Sequence, residues 1–226
     1  MCGRYAFFAP ADAVQRWFGV PFVPGLTARY NIAPTQDVPV LREREPGRRE
    51  VAPLRWGLVP SWAGDPSIGQ RMINARAETL AEKPSFRTAF RRRRCVVLAS
   101  GWYEWQKTAT GKQPFFLYPR DGEPLGFAGL WEQWVDRGSG EAIQSCTIVT
   151  TAAPPALAAI HDRMPAVLAQ EALAPWLDPA VTDGARLAPL LGAGEAGNIE
   201  ARAVSRAVND ARNEGPQLVE PLAGAR

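Results

Sequence analysis

Cys95-Val96-Val97-Leu98-Ala99-Ser100-Gly101-Trp102-Tyr103-Glu104-Trp105-Gln106 is the stretch on which the fold turns. Its first half is a short, unbroken apolar run with the β-branched content of a buried strand. Its second half mixes aromatic and polar residues and reads as a prolongation of that strand. Side chains alternate along a strand, so Trp102, Glu104 and Gln106 are expected on one face and Tyr103 and Trp105 on the other.

Working outward, residues 37–42 and 50–59 read as strands joined by a charged turn from Arg42 to Arg49, and residues 114–119, 125–134 and 145–151 as three more. Pro10 to Phe18 reads as a short helix, with Val14, Trp17 and Phe18 on its apolar face and Gly19 as its stop. A Pro/Gly-rich loop follows as far as Pro34. Helical pieces are expected over 77–92, broken by Pro84, and at 155–160, 169–177 and 183–191; residues 202–208 and 217–222 return to strand-like composition. Many strands with inserted helices and no βαβ alternation imply an α+β fold with a largely antiparallel sheet system. There is no internal repeat and no linker long enough to divide the chain, so residues 1–226 are expected to form a single domain. Gly192-Ala193-Gly194-Glu195-Ala196-Gly197 matches a dinucleotide-binding fingerprint, but it follows a helix instead of a strand and reads as a flexible loop.

The composition, 46% hydrophobic and 22% charged over 226 residues, is enough for a core without disulfides or metals. No apolar run approaches the roughly 18–20 residues that span a bilayer. Met1-Cys2-Gly3-Arg4-Tyr5 has no signal-peptide pattern, so a cytoplasmic protein with reduced thiols is expected. Three cysteines without a C-x-x-C pair argue against zinc, and neither metal nor cofactor is expected. The 26 basic residues comprise 23 Arg and 3 Lys within a net charge of only +3. Arginine forks suit phosphates, yet a codon bias gives the same count. The run Arg91-Arg92-Arg93-Arg94 reads either as a phosphate contact or as a solvated face.

Cys2 is the first residue with distinctive chemistry. Loss of Met1 leaves an amine and a thiol on adjacent carbons. An α-amine titrates at roughly 7.7–8.0, far below the roughly 10.4 of lysine, so much of it is unprotonated near neutrality. Such an amine condenses with an aldehyde to an imine, and the thiol then closes a five-membered thiazolidine that resists hydrolysis. A cysteine at position 2 is by itself as readily a packing residue, and other segments give it weight. Met72-Ile73-Asn74-Ala75-Arg76-Ala77-Glu78 sets an amide and an arginine between apolar residues. Gly101-Trp102-Tyr103-Glu104-Trp105 places a carboxyl among aromatics, where burial would raise its pKa, unless it faces outward. Ile160-His161-Asp162-Arg163-Met164-Pro165 holds the single histidine in a polar cluster just after a helix. Tyr30-Asn31-Ile32-Ala33-Pro34-Thr35 is turn-rich, and Trp56-Gly57-Leu58-Val59-Pro60-Ser61-Trp62 puts two tryptophans at a strand end. Of the eight tryptophans, one or two are expected to be exposed and able to stack on unpaired bases.

Taken in order, these six segments resemble the SRAP family, the SOS-response-associated peptidases or abasic site processing proteins, over nearly the whole chain. Val204-Ser205-Arg206-Ala207-Val208-Asn209 looks like that family's C-terminal strand. The resemblance implies a mixed domain with a barrel-like, largely antiparallel β core and peripheral helices. It implies that Cys2 forms a covalent thiazolidine link to the ring-opened sugar of an abasic site in single-stranded DNA. Asn74 would hold the amine and sugar, Glu104 would act as acid and base and assist Met1 removal, and His161 would assist proton transfer. Arg4, Arg76 and Arg163 match phosphate-binding positions; Pro34, Trp62 and Trp105 match positions that wedge or stack near a kinked strand. Ala63 after Trp62 makes stacking there less secure. The partner implied is abasic single-stranded DNA, bound by a monomer without a membrane.

Rival readings remain at this point. An N-terminal Cys followed by Gly3-Arg4 also opens class II glutamine amidotransferases, although their Asn-Gly oxyanion element has no counterpart here. A noncovalent single-strand binding module and a peptidase acting on other proteins are the others.

Overall fold

The computed structural model describes residues 2–21, 25–192 and 196–222. Its strands are β1 (Tyr5–Phe7), β2 (Arg29–Ile32), β3 (Asp37–Glu45), β4 (Arg48–Trp56), β5 (Asn74–Arg76), β6 (Arg94–Ala99), β7 (Gly101–Thr108), β8 (Gly111–Pro119), β9 (Leu125–Val135), β10 (Ala142–Ala152), β11 (Arg163–Pro165) and β12 (Ile199–Ala203). Between them lie short helices: α1 (Ala11–Phe18), α2 (Arg87–Arg92), α3 (Pro155–Ala158), α4 (Leu173–Leu177) and α5 (Gly184–Leu187). No helix among the described residues is long and apolar enough to cross a membrane.

Five strands close on themselves in the order β10-β4-β3-β6-β9, with β9 pairing back onto β10. Every neighbour pair in this barrel is antiparallel except β4 with β10. Strand β5 adds to β10 in parallel and β11 adds antiparallel. The second sheet, β12-β8-β7-β1-β2, is antiparallel throughout. The α+β, barrel-like architecture is therefore as expected.

The deciding stretch is two strands, not one. β6 belongs to the barrel and β7 to the second sheet, and the chain changes sheets at Ser100. The Ser100 N–H donates to the Ala6 carbonyl at 2.7 Å, and its Oγ accepts from the Phe8 N–H at 2.9 Å, which fixes the crossing. Gly101 follows because a Cβ there would lie 2.4 Å from Phe116 Cζ and 2.5 Å from the Leu117 carbonyl oxygen. The two sheets meet through aromatic rings. Tyr5 packs edge-on against Trp56 at 5.4 Å and Phe127 at 6.0 Å, and Trp102 against Phe127 at 5.9 Å. Such edge contacts add specificity to a large burial of apolar area.

Other boundaries shift for local reasons. The Arg42–Arg49 turn is a tight Pro46-Gly47 hairpin, with φ 78° at Gly47, and both strands run further than expected. The strand begun at Arg48 stops at Trp56, where Gly57 takes φ 130° and passes so close to Gly69 that a Cβ would meet its carbonyl oxygen at 2.7 Å. β2 lies in the expected loop; its four residues, Arg-Tyr-Asn-Ile, alternate too briefly within the Pro/Gly-rich stretch to mark a strand, and pair with β1 all the same. The expected helices at 155–160, 169–177 and 183–191 shrink to α3, α4 and α5 with flanking 3-10 turns. The expected C-terminal strands at 202–208 and 217–222 give way to β12 and to 3-10 turns at Arg206–Asn209 and Pro216–Leu218. Much of the backbone past Ala203 is held by side chains: Asn31 Nδ2 donates to the carbonyls of Asp210 and Asn213, each at 2.9 Å.

The arginine run is split by burial. Arg94 is inside, donating to the carbonyls of Trp176, Phe90, Arg91 and Asp178, and burial lowers its pKa to about 10. Arg93 pairs with Glu132. Only Arg91 and Arg92 are exposed, so the run is neither a phosphate stripe nor a wholly solvated face. Residues 193–195 of the glycine-rich Gly192–Gly197 stretch, residues 22–24 of the loop before Pro34, and Met1 lie outside the described residues.

Candidate functional site

Where the barrel meets the second sheet, four polar side chains from separate parts of the chain converge. Cys2 stands just ahead of β1 and is buried. Asn74 opens β5, held in register by Ile148 of β10, and its Nδ2 donates to the Cys2 carbonyl at 2.8 Å. The Asn74 Oδ1 is buried and accepts no hydrogen bond among the described residues. Glu104 lies in β7 on the face of Trp102, as the alternation requires, and that face points inward: Glu104 is only 3% exposed. Burial, with a smaller push from Asp162, raises its pKa to about 7. Burial also holds the Cys2 thiol well above its usual range, and the nearby Glu104 charge adds to this.

His161 sits between α3 and β11, with Nε2 4.0 Å from Glu104 Oε2. Its Nδ1 accepts the Arg163 backbone N–H at 3.0 Å, which leaves the neutral ring's proton on Nε2, toward Glu104. Asp162 Oδ1 also lies 3.0 Å from Nδ1, which would ask for a proton there. The backbone donor decides the tautomer, because it is fixed by the chain whereas the Asp162 carboxylate is 86% exposed and free to turn. Burial lowers the His161 pKa, so the imidazole is neutral near pH 7.

The arginines differ in readiness. Arg76 is exposed at the end of β5, in register with Thr150 of β10. Arg163 is occupied: Nη1 and Nη2 donate to Glu78 Oε1 and Oε2 at 2.5 and 3.0 Å, and Nη2 also donates to the Thr150 carbonyl at 2.6 Å. Arg4 is half-buried and uses Nη1 on Asn31 Oδ1 at 2.7 Å and the Val208 carbonyl at 2.8 Å; burial lowers its pKa. Trp62 is 57% exposed, as expected for one tryptophan. Trp105 is half-buried, and its Nε1 donates to Asn209 Oδ1 at 2.8 Å. Pro34 is half-buried beside Thr35, whose φ is 73°. No hydrogen bond or ring contact joins Trp62 to the four-residue centre among the described residues.

Three participants are not evident from sequence. Asn31 is buried and ties Arg4 to the C-terminal segment, yet in sequence it is one letter in a turn-rich motif. Thr150 and Glu78 grip Arg163; Glu78 is quoted with its motif, but nothing links it to a residue 85 positions away. No cluster of three His, Cys, Asp or Glu that could hold a metal occurs among the described residues.

Comparison with known proteins gives one answer. The family described as SOS response associated peptidase (SRAP) matches residues 1–211. The abasic site processing protein YoqW of Bacillus subtilis is 39% identical over 97% of this chain and 99% of its own length. YedK of Escherichia coli, also named an abasic site processing protein, is 34% identical over 98% and 100%. HMCES of Pongo abelii, of the same description, is 33% identical over 98% of this chain and 76% of its own. A crystal structure of a Bacteroides thetaiotaomicron protein superposes with a TM-score of 0.85 at 28% identity, covering 97% of this chain and 99% of that one. With its barrel, its second sheet and its Cys2-Asn74-Glu104-His161 centre, this chain belongs to the SOS response associated peptidase family.

Proposed function

We propose that this protein processes abasic sites in single-stranded DNA, and that Cys2, freed of Met1, becomes the point of covalent attachment. The observation that carries the reading is the convergence of Cys2, Asn74, Glu104 and His161, with a carboxyl whose pKa lies about 7. At that pKa one group can both give and accept a proton near neutrality. With His161 Nε2 and Glu104 Oε2 4.0 Å apart, a sugar oxygen bound off the line between them would be within hydrogen-bond reach of both. The closed deoxyribose opens when a base takes the C1′ hydroxyl proton and an acid protonates the ring oxygen. The Cys2 amine then adds to the aldehyde carbon, and the hydroxyl so formed leaves as water once protonated, giving the imine. Finally the thiol adds across the C=N bond: sulfur bonds to carbon, its proton is passed to nitrogen, and the thiazolidine closes. Because the buried thiol is held protonated, this last step needs a base at hand, a role that falls to the ionised Glu104. The same carboxyl is proposed to assist loss of Met1 in cis. The setting is the cytoplasm, and the acting form a monomer.

The test mixes purified protein with uracil-containing single-stranded DNA treated with uracil glycosylase. A denaturant-stable adduct is expected, from protein whose intact mass shows Cys2 as the first residue. Cys2→Ser keeps the amine and should give an imine that borohydride traps, but little durable adduct. An adduct formed by protein that retains Met1 throughout would overturn the mechanism, and glutaminase activity without any adduct would favour an amidotransferase.

A further inference from the structure

Arg163 presents an anomaly for a phosphate ligand: its end-on fork is already taken, although its buried Nε has no hydrogen-bond partner among the described residues. Glu78 takes the end-on fork with both carboxylate oxygens, and Thr150 takes a further Nη2 proton through its carbonyl, with its Oγ1 3.3 Å away. The two grips differ in kind. Thr150 belongs to β10 and is fully buried, so it holds the guanidinium from the protein side whatever else happens. Glu78 stands on a single 3-10 turn, Ala77–Thr79, with its side chain 52% exposed against 15% for Arg163. A residue needed only to orient Arg163 would duplicate Thr150. Glu78 instead covers the open side of the fork, the side from which a solvent-borne anion arrives. A carboxylate and a phosphate make the same paired contact with an arginine fork. The hydrogen bonds from Arg163 also hold the Glu78 carboxyl below its ordinary range, so it stays ionised and competes fully at neutral pH.

We infer that Glu78 is a stand-in for a backbone phosphate, occupying the Arg163 fork in the free protein and yielding it when single-stranded DNA binds. It thereby sets the affinity for undamaged strand. The inference rests on the proposed binding of single-stranded DNA and on the family resemblance that matches Arg163 to a phosphate-binding position. Glu78 must swing out for the strand to dock, and Arg163, kept in place by Thr150, receives the phosphate without rearrangement. The apparent affinity is the intrinsic one multiplied by the fraction of molecules in which the fork is open.

The experiment measures binding of a labelled, undamaged oligothymidylate to the full chain by fluorescence anisotropy at fixed salt. The proteins are wild type, Glu78→Gln, Arg163→Gln and the double variant, each checked by thermal melting. Glu78→Gln keeps the shape and removes the charge; it is expected to bind about two- to fivefold tighter, the scale of a partly exposed ion pair. Glu78→Ala, which cannot reach the fork at all, should match or exceed it and serves if the first variant folds poorly. Arg163→Gln should bind more weakly, and in that background Glu78→Gln should gain nothing. Unchanged or weaker binding by both Glu78 variants overturns the inference and makes Glu78 a positioning residue. A gain that persists without Arg163 also overturns it, since that would be a general effect of net charge. Wild-type affinity in Arg163→Gln would instead overturn the assignment of Arg163 to a phosphate, and the inference with it.

Discussion

Glu104 is ionisable, nearly sealed from water, and 4.0 Å from a neutral imidazole, a costly place to keep a carboxylate. Its pKa of about 7, against an ordinary 4.5, means that the folded protein holds a proton the unfolded chain releases. The sign follows from that. Its contribution to stability is fully present below pH 4.5, where both states are protonated, and is lost as pH rises through about 7. Glu104→Gln should therefore match wild type in thermal stability at pH 5 and exceed it at pH 8, by up to about 3 kcal/mol at 1.36 kcal/mol per pKa unit. The same variant, with Cys2 exposed by a cleavable tag, should bind undamaged strand normally and form adduct about 10²–10⁴-fold more slowly. A wild-type rate would remove Glu104 from the DNA chemistry. At this scale much was legible. Three aromatics around one carboxyl signal a raised pKa, and strand alternation puts Glu104 with Trp102. What alternation leaves open is which face is inside. Arg94 shows the opposite case: its four carbonyl partners come from α2 and the end of α4, so nothing in a run of four arginines marks the buried one.

The C-terminal segment is held to the second sheet largely by side chains, with Asn31 as the main clamp. Its Nδ2 serves the carbonyls of Asp210 and Asn213, and its Oδ1 holds Arg4, two residues from Cys2. Asn31→Ala leaves those carbonyls to water and the Arg4 guanidinium short of a partner. A loss of about 1–3 kcal/mol is expected, seen as a Tm drop of about 3–10 °C for a domain of this size. Limited proteolysis should cut first between residues 205 and 215; an unchanged digestion pattern would remove the clamp from Asn31. The segment shows why element boundaries drift. Its composition is strand-like, but a strand needs a neighbour, and past Ala203 only isolated backbone contacts such as Val204 with Pro114 remain, joined by side chains of Arg4, Asn31 and Gln113. β2 errs the other way, a four-residue run inside a Pro/Gly-rich stretch yet fixed as a strand by β1. The split of Cys95–Gln106 at Ser100 was equally hidden, because an apolar run is continuous in composition whether or not it changes sheets.

For the whole molecule, a net charge of +3 provides little long-range attraction, so strand binding should rest on a few local arginines and fall steeply with salt. Adduct yield should be high on single strands and at junctions and low on a fully paired duplex, where Pro34, Trp62 and Trp105, if they wedge or stack as the family resemblance implies, would find no unpaired base. Equal yield on duplex would contradict them. The α+β class and the sheet-rich middle follow from strand patterning, but closure of the barrel does not. It depends on β9 returning to β10 and on one parallel pair, β4 with β10, which no local signal encodes. One feature of this architecture bears on force. Cys2 leads directly into β1, and β1 is flanked by β7 on one side and β2 on the other. A strand of DNA tethered at Cys2 and drawn taut along the axis of β1 would load it lengthwise between its neighbours. Loaded that way, its hydrogen bonds share the tension and must fail together, whereas a strand peeled from an edge loses them one by one. The tether would be seated where the sheet best resists being torn.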